Sequence, residues 1–388
     1  MGSGSPDQTS FLDGVEQDFQ RKHPGTDVEV QYVPWGEASK KFQTALAGGG
    51  GPDVTEVGNT DTQSWAAQDA FADLTERAKG WPEARDIVPS MLENDKFDGQ
   101  TVALPWYAGV RAIYYRTDWF AELGIELPAT QQELVEAAKK IQAAKPGVSG
   151  LAVAGDYNFA LFPFIWSHGG EIATKQGDTW KAGVDSPSAK RGIDFYTGLV
   201  TRAQVSPPAS ISWNELEPQK QFALERAGMI IAGNWAQTEM AKDNPNITKV
   251  MGSFPVPGTS PGKIAPAFAG GSDLAIWKDS PNADLAWDYL TVLLSKQNSL
   301  EWAKQSKFFP AYSDLLASDD FQSDAVMAGF AKQLTETKMV PLTPAWVEVD
   351  KNKAVLQNMV RKIMQGEQSV DEAAAAAAAE MNKILNST

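Results

Sequence analysis

The stretch FDGQTVALPWYAGVRAIYYRTDWF, residues 97 to 120, decides how this chain is built. It alternates like a strand, yet Pro105, Trp106 and Tyr107 sit in its middle and Arg111 follows four residues later. Proline has no amide proton to give to a ladder and is awkward inside a central strand. The question is what surface makes two aromatics and an arginine useful together on one extended run.

Working outward, helical and extended patterns alternate. Phe11, Leu12, Val15 and Phe19 recur at helical spacing, and DVEVQYVPW then reads as a strand ending at Pro34 and Trp35. A helix through Phe42, Ala45 and Leu46 leads to Gly48–Gly51, followed by the short strand PDVTEVG and the helix WAAQDAFADL. Thr130 and Glu133 form a T-x-x-E box before the amphipathic Leu134, Ala138 and Ile141. GLAVAG (150–155) and GMIIAG (228–233) read as strands buried on both faces. Ser186-Pro187 and Ser280-Pro281 mark helix starts, and Ser369 with Glu372 caps a final alanine-rich helix. This order predicts an α/β protein with a mainly parallel sheet. At 388 residues the chain is long enough for two lobes.

Composition removes several function classes. The net charge of -15 argues against nucleic acid or an anionic membrane as main partner, because phosphate binding needs clustered Lys and Arg. With no cysteine there is no disulfide, thiolate nucleophile, iron–sulfur cluster or cysteine-ligated zinc. No apolar run approaches the roughly 18 residues of a membrane span. No signal peptide is visible, and Met1 to Ser5 reads as an added or trimmed start.

Candidate catalytic motifs fail on their context. GTSPG (258–262) matches a nucleophile elbow, but Pro261 after Ser260 has no N–H for an oxyanion hole, so the segment reads as a turn. His23 and His168 are the only histidines and are far apart, which argues against a histidine metal site. Gly48–Gly51 follow a helix and precede a strand, the reverse of a phosphate loop. The reading therefore expects no catalytic residue, no metal and no cofactor.

Aromatics at strand ends remain. Trp35, Trp106 with Tyr107, and Trp235 end or interrupt predicted strands, while Trp213 and Trp346 lie in loops. In open α/β folds ligands sit outside the carboxyl ends of strands. With Asn59, Asp61, Arg111 and the bare Gly270 and Gly271, these aromatics make a flat-faced polar slot. Such a slot suits a sugar, whose C–H face lies on an aromatic plane while its hydroxyls meet polar side chains.

The chain as a whole, from about residue 7 to its end, resembles the solute-binding proteins of ATP-driven sugar importers, in the maltose and oligosaccharide branch. GPDVTEVGN is similar to that family's P-D-V-x-E-x-G-N segment, and residues 97–130 to its D-G-K-x-Y-x-x-P stretch with the Y-R-x-D-x-F and P-x-T that follow. GMIIAGNWA resembles its G-x-x-A-M-x-x-x-G-x-W segment, and FAGGSDLAIWKDSPNADLAWDYLTVLLS its glycine loop and following helix. The family opens with a strand such as an I-T-V-W run. Met1 falls just after it, so the reading expects the N-terminal sheet to lack that member.

The resemblance implies an α/β two-lobe periplasmic-binding-protein fold (type II, Venus flytrap), each lobe a mixed sheet flanked by helices, with ligand in the interlobe cleft. It implies lobes at 1–108 plus 270–312 and at 109–269 plus 313–388, with hinge crossings near 105–112, 264–272 and 309–315. Residues 97–120 would then be a hinge crossing whose aromatics face the ligand. Trp106 and Tyr107 would floor the cleft, Arg111 would reach hydroxyls or order the hinge, and Trp235 would stack on sugar. Asn59, Thr60 and Asp61 belong to the sugar loop, and Gly270 and Gly271 admit a close backbone. Trp346 would lie on the rim, and Trp35 and Trp213 are weaker carry-overs.

The implied function is a monomeric extracytoplasmic receptor, periplasmic or anchored to the cell surface as a lipoprotein, that hands a di- or oligosaccharide to the permease subunits of an ABC transporter. Two other readings stay open: an oligosaccharide-active enzyme, and the same fold binding a non-sugar solute.

Overall fold

The computed structural model describes residues 6–316, 321 and 324–387. The chain divides into two compact units, Met1–Gly109 with Gly270–Ser318, and Val110–Ala269 with Asp319–Thr388. It passes between them at Gly109–Val110 and at Ala269–Gly270, inside the strands Leu104–Arg116 and Ala267–Ile276. A third passage lies among residues 317–320, outside the described residues.

In the first unit, Val54–Gly58 pairs antiparallel with residues 272–276, Val54 opposite Ile276 and Gly58 opposite Ser272. The leading part of the long strand lies beside them, and Phe309–Pro310 pairs antiparallel with its Ala108 and Tyr107. One face is closed by the helix Pro6–Lys22, whose Phe11, Leu12 and Val15 pack with Leu290, Leu293 and Trp302. On the other side Phe42, Trp65, Phe71 and Trp277 make a second aromatic cluster. Each such side chain contributes about 1.5–3 kcal/mol when fully buried.

In the second unit, Ile113 stands opposite Ile231 of Met229–Gly233 on one side and Phe254 of Met251–Phe254 on the other, so the strand is central. The helix Asn158–Ser167 is apolar all round and buried among Gln131–Ala144, Pro187–Thr201 and the last two helices, Val355–Met364 and Val370–Leu385. Thr130 and Ser186 cap their helices through the backbone N–H groups of Glu133 and Ala189. Ser369 and Glu372 form a complete capping box.

Several local expectations are corrected. Residues 26–34, including DVEVQYVP, form no strand: the alternation is there, but among the described residues no neighbouring segment pairs with it. GLAVAG is buried, yet among the described residues its pairing is a single isolated parallel bridge, Ala152 to Ile230, with Ser149 just before it bridged to Ala227. The named strand pairs are antiparallel except Thr337–Lys338 with Ala267–Phe268, so the sheets are not mainly parallel. WAAQDAFADL holds only the end of the short helix Thr62–Ala66. The helix after Ser280-Pro281 begins at Ala283, because the Ser280 and Asn282 side chains instead bond Asp53. GTSPG is a turn, closed by the Gly258 N–H donating to the Lys263 carbonyl.

Candidate functional site

In the second unit the site is built around Arg111. Its Cα stands opposite Gly233, and a Cβ at Gly233 would sit 2.3 Å from the Trp235 ring, so only glycine lets that ring lie against the strand. The turn carrying Trp235 is fixed from below. The Tyr114 hydroxyl donates to the Gly233 and Asn234 carbonyls, and the Val110 N–H donates to Asn234 Oδ1 at 2.9 Å. Trp235 itself is half-buried.

The Arg111 guanidinium lies 4.5 Å from the Phe159 ring centre and 4.7 Å from that of Trp235, with Phe268 and Tyr157 at 5.6 and 6.0 Å. Phe159 in turn stacks on Phe268 at 4.5 Å. Arg111 Nε donates to the Tyr157 hydroxyl at 2.9 Å, and that hydroxyl donates to Glu215 Oε1 at 2.7 Å. Arg111 Nη2 reaches the same carboxylate oxygen at 3.5 Å. Burial works against the guanidinium charge, but Tyr157 and Glu215 outweigh it and raise the Arg111 pKa. Burial also holds the Tyr157 phenol well above its ordinary value, so it stays protonated and able to donate.

In the first unit the half-exposed Trp35 ring lies over Gly58, where an added Cβ would be 3.7 Å from it. The adjoining loop is pinned at both edges: Asn59 N–H donates to the Gly271 carbonyl and Asn94 Nδ2 to the Asn59 carbonyl, each at 3.1 Å. Thr60 Oγ1 donates to Asp61 Oδ1, and Asp61 is buried. Gly271 runs so close to the long strand that a Cβ would meet the Tyr107 carbonyl oxygen at 2.3 Å. Gly270, beside it, is buried.

Beneath this loop sits a buried acid pair. Thr62 Oγ1 donates to Asp273 Oδ2 at 2.6 Å, and Asp95 hydrogen-bonds Asp273 from the other side. Burial and then the neighbouring Asp273 charge hold the Asp95 carboxyl well above the carboxylate range, and burial pushes Asp273 up to about 6. Asp95 is therefore the protonated member and donates to Asp273. Nearby, the Tyr107 hydroxyl donates to Glu56, and burial followed by the Glu56 charge raises its pKa.

The structure brings Trp35, Asn59, Thr60, Asp61, Gly270 and Gly271 together in the first unit, and Arg111 and Trp235 in the second. Trp106 and Tyr107 are buried within the first unit's core: Trp106 stacks on Trp302 at 4.9 Å and Tyr107 lies 4.1 Å from Phe308. Trp213 is half-buried, its carbonyl accepting from the Asp156 N–H. Trp346 is 1% exposed and packed in the second unit's apolar core, not on a rim. Sequence reasoning missed Tyr157, Phe159, Glu215 and Phe268. The aromatic pair in GDYNF, directly after an apolar run, was the available signal. Among the described residues no three His, Cys, Asp or Glu side chains form a metal-holding group. No described helix is long and apolar enough to cross a membrane.

The model of the bacterial extracellular solute-binding protein family matches residues 2–299. The diacetylchitobiose-binding protein DasA of Streptomyces coelicolor is 29% identical over 388 residues, covering 99% of this chain and 88% of its own. Among solved structures, an ABC transporter solute-binding protein from Thermotoga lettingae bound with alpha-D-tagatose superposes with a TM-score of 0.86 at 26% identity, over 98% of this chain and 97% of its own. Maltose-bound MalE3 of T. maritima gives a TM-score of 0.86 at 24% identity, covering 98% of each chain, and shares the fold. The fold is that of the periplasmic solute-binding proteins.

Proposed function

The chain belongs to the bacterial extracellular solute-binding protein family, and we propose that it is an extracytoplasmic receptor that binds a di- or oligosaccharide and delivers it to the permease of an ABC transporter. The observation that carries this reading is the Trp235 platform, a half-buried indole held flat by Gly233 and backed by the Arg111 guanidinium. A rigid aromatic face with polar groups at its edge binds the C–H face of a sugar ring without ordering itself on binding. DasA, by its name, binds diacetylchitobiose, a ligand of the same class.

In this reading the pinned loop Asn59–Asp61, with Trp35 beside it, supplies the hydroxyl partners and a second stacking face. The passages at Gly109–Val110 and Ala269–Gly270 serve as hinges between an open and a closed state, and the ligand favours the state in which its contacts are better. The work done is conformational, and the bound sugar leaves unchanged.

A titration followed by tryptophan fluorescence tests the proposal, using maltose, cellobiose, xylobiose, trehalose and N,N′-diacetylchitobiose. The expected result is a saturable change with at least one sugar, recovered intact, and its loss in Trp235→Ala with the fold retained. Cleavage of the sugar would replace the receptor with an enzyme. Silence across the panel would leave the fold binding another solute.

A further inference from the structure

Arg111 is buried and its hydrogen bonds to Tyr157 and Glu215 are turned inward. The Phe159 and Trp235 ring centres lie 4.5 and 4.7 Å from its guanidinium, Nε donates to Tyr157, and Nη2 is turned to Glu215. Its side chain is 7% exposed, whereas that of Glu215 is 26% exposed. Tyr157 and Arg111 both address Glu215 Oε1, and among the described residues Oε2 has no hydrogen-bond partner. The polar group that this assembly presents outward is therefore a carboxylate oxygen fixed in position from behind. An ionised carboxylate only accepts hydrogen bonds.

Resting on the receptor reading above, we propose that Glu215 is the specificity-determining residue that restricts the site to uncharged sugars bearing hydroxyl or amide N–H donors and rejects uronates and phosphorylated sugars. The positive charge beside it offsets only part of this, because the guanidinium is more deeply buried than the carboxylate and is surrounded by four rings. An anionic substituent brought within about 5 Å of the Oε2 edge meets a repulsion that, after allowance for the exposed side, amounts to about 10- to 100-fold in affinity.

The test compares wild type with Glu215→Gln and Glu215→Asp. Each is titrated with maltose, cellobiose and N,N′-diacetylchitobiose, and with digalacturonate as the anionic probe. Glu215→Gln keeps an acceptor oxygen for Tyr157 and Arg111 but removes the charge and adds a donor. It is expected to narrow the ratio of neutral to anionic affinity by at least tenfold. Glu215→Asp keeps the charge and is expected to hold the ratio within about threefold, even where its absolute affinities fall through lost reach.

A merely structural Glu215 would shift every ligand alike in both variants and leave both ratios at the wild-type value, which overturns the proposal. Digalacturonate binding to wild type as tightly as the best neutral sugar also overturns it. If Trp235→Ala abolishes binding of a neutral sugar while the Glu215→Gln ratio stays unchanged, the receptor reading stands and this one falls. If wild type binds none of the probes, both fall together.

Discussion

Replacing Asp95 by Asn is expected to change how stability depends on pH. Asp95 is fully buried, and it shares a proton with Asp273, which Thr62 holds in place. In the unfolded chain both carboxyls titrate near their ordinary value of about 3.9. In the folded chain burial raises both, Asp273 to about 6 and Asp95 well above its ordinary value. For a group whose folded pKa is raised, the stabilising contribution is complete below the unfolded value and is lost as pH climbs through the folded one. The native state holds protons that the unfolded state has shed, so stability falls as pH rises.

Counting one proton only, the fall is about 1.4 kcal/mol per pH unit, or about 2 kcal/mol between pH 4.5 and 6.0. Asn at position 95 donates permanently to Asp273 through its amide and needs no proton. Urea unfolding of wild type and Asp95→Asn at pH 4.5, 5.0, 5.5 and 6.0 reads the difference directly. Carboxylates outside this pair titrate equally in both proteins and cancel. The difference, variant minus wild type, should rise by about 1.4 kcal/mol per pH unit. Parallel curves would refute the shared proton, and a variant that loses ground as pH rises would refute the direction of the shift.

Three further outcomes follow from packing and capping. Trp106→Ala removes an indole stacked on Trp302 and should lower stability by about 3–5 kcal/mol, read by urea unfolding, where a surface aromatic would cost little. Gly271→Ala drives a methyl group into the Tyr107 carbonyl oxygen, so the variant should melt several degrees lower and lose the slow amide exchange of Asn59, whose acceptor is the Gly271 carbonyl. Ser369→Ala removes the side-chain acceptor of the capping box and should cost about 1 kcal/mol without altering any sugar titration.

What the sequence discloses about this protein divides by the range of the interaction. The boxes at Thr130 and Ser369 were legible because cap and partner are three residues apart, and the Ser369 box forms completely. At Thr130 the side chain caps the Glu133 N–H, but the Glu133 carboxylate accepts from the Ala129 N–H instead. The strand GMIIAG and the tryptophan after it were legible because an apolar run and the residue ending it are local features. DVEVQYVP shows the limit of that reasoning, since alternation specifies a face but not a neighbouring strand to pair with it. Trp106 shows another, because a strand covered on both faces buries aromatics whichever way they point, and alternation no longer separates ligand face from core.

The polar half of the site fails for a different reason. Tyr157 and Glu215 reach Arg111 across 46 and 104 residues of chain. Asp95 meets Asp273 from the far side of the first unit's sequence, and with 49 acidic residues in the chain no spacing marks either of them. Local pattern can therefore locate an aromatic platform. The charge presented beside that platform depends on which oxygen Arg111 leaves unengaged, and only the folded chain determines that. In the proposed receptor, affinity is written in short segments such as GNWA, while selectivity is written in tertiary contacts. A substitution in the former should weaken all sugars together, and one at Glu215 should re-rank them.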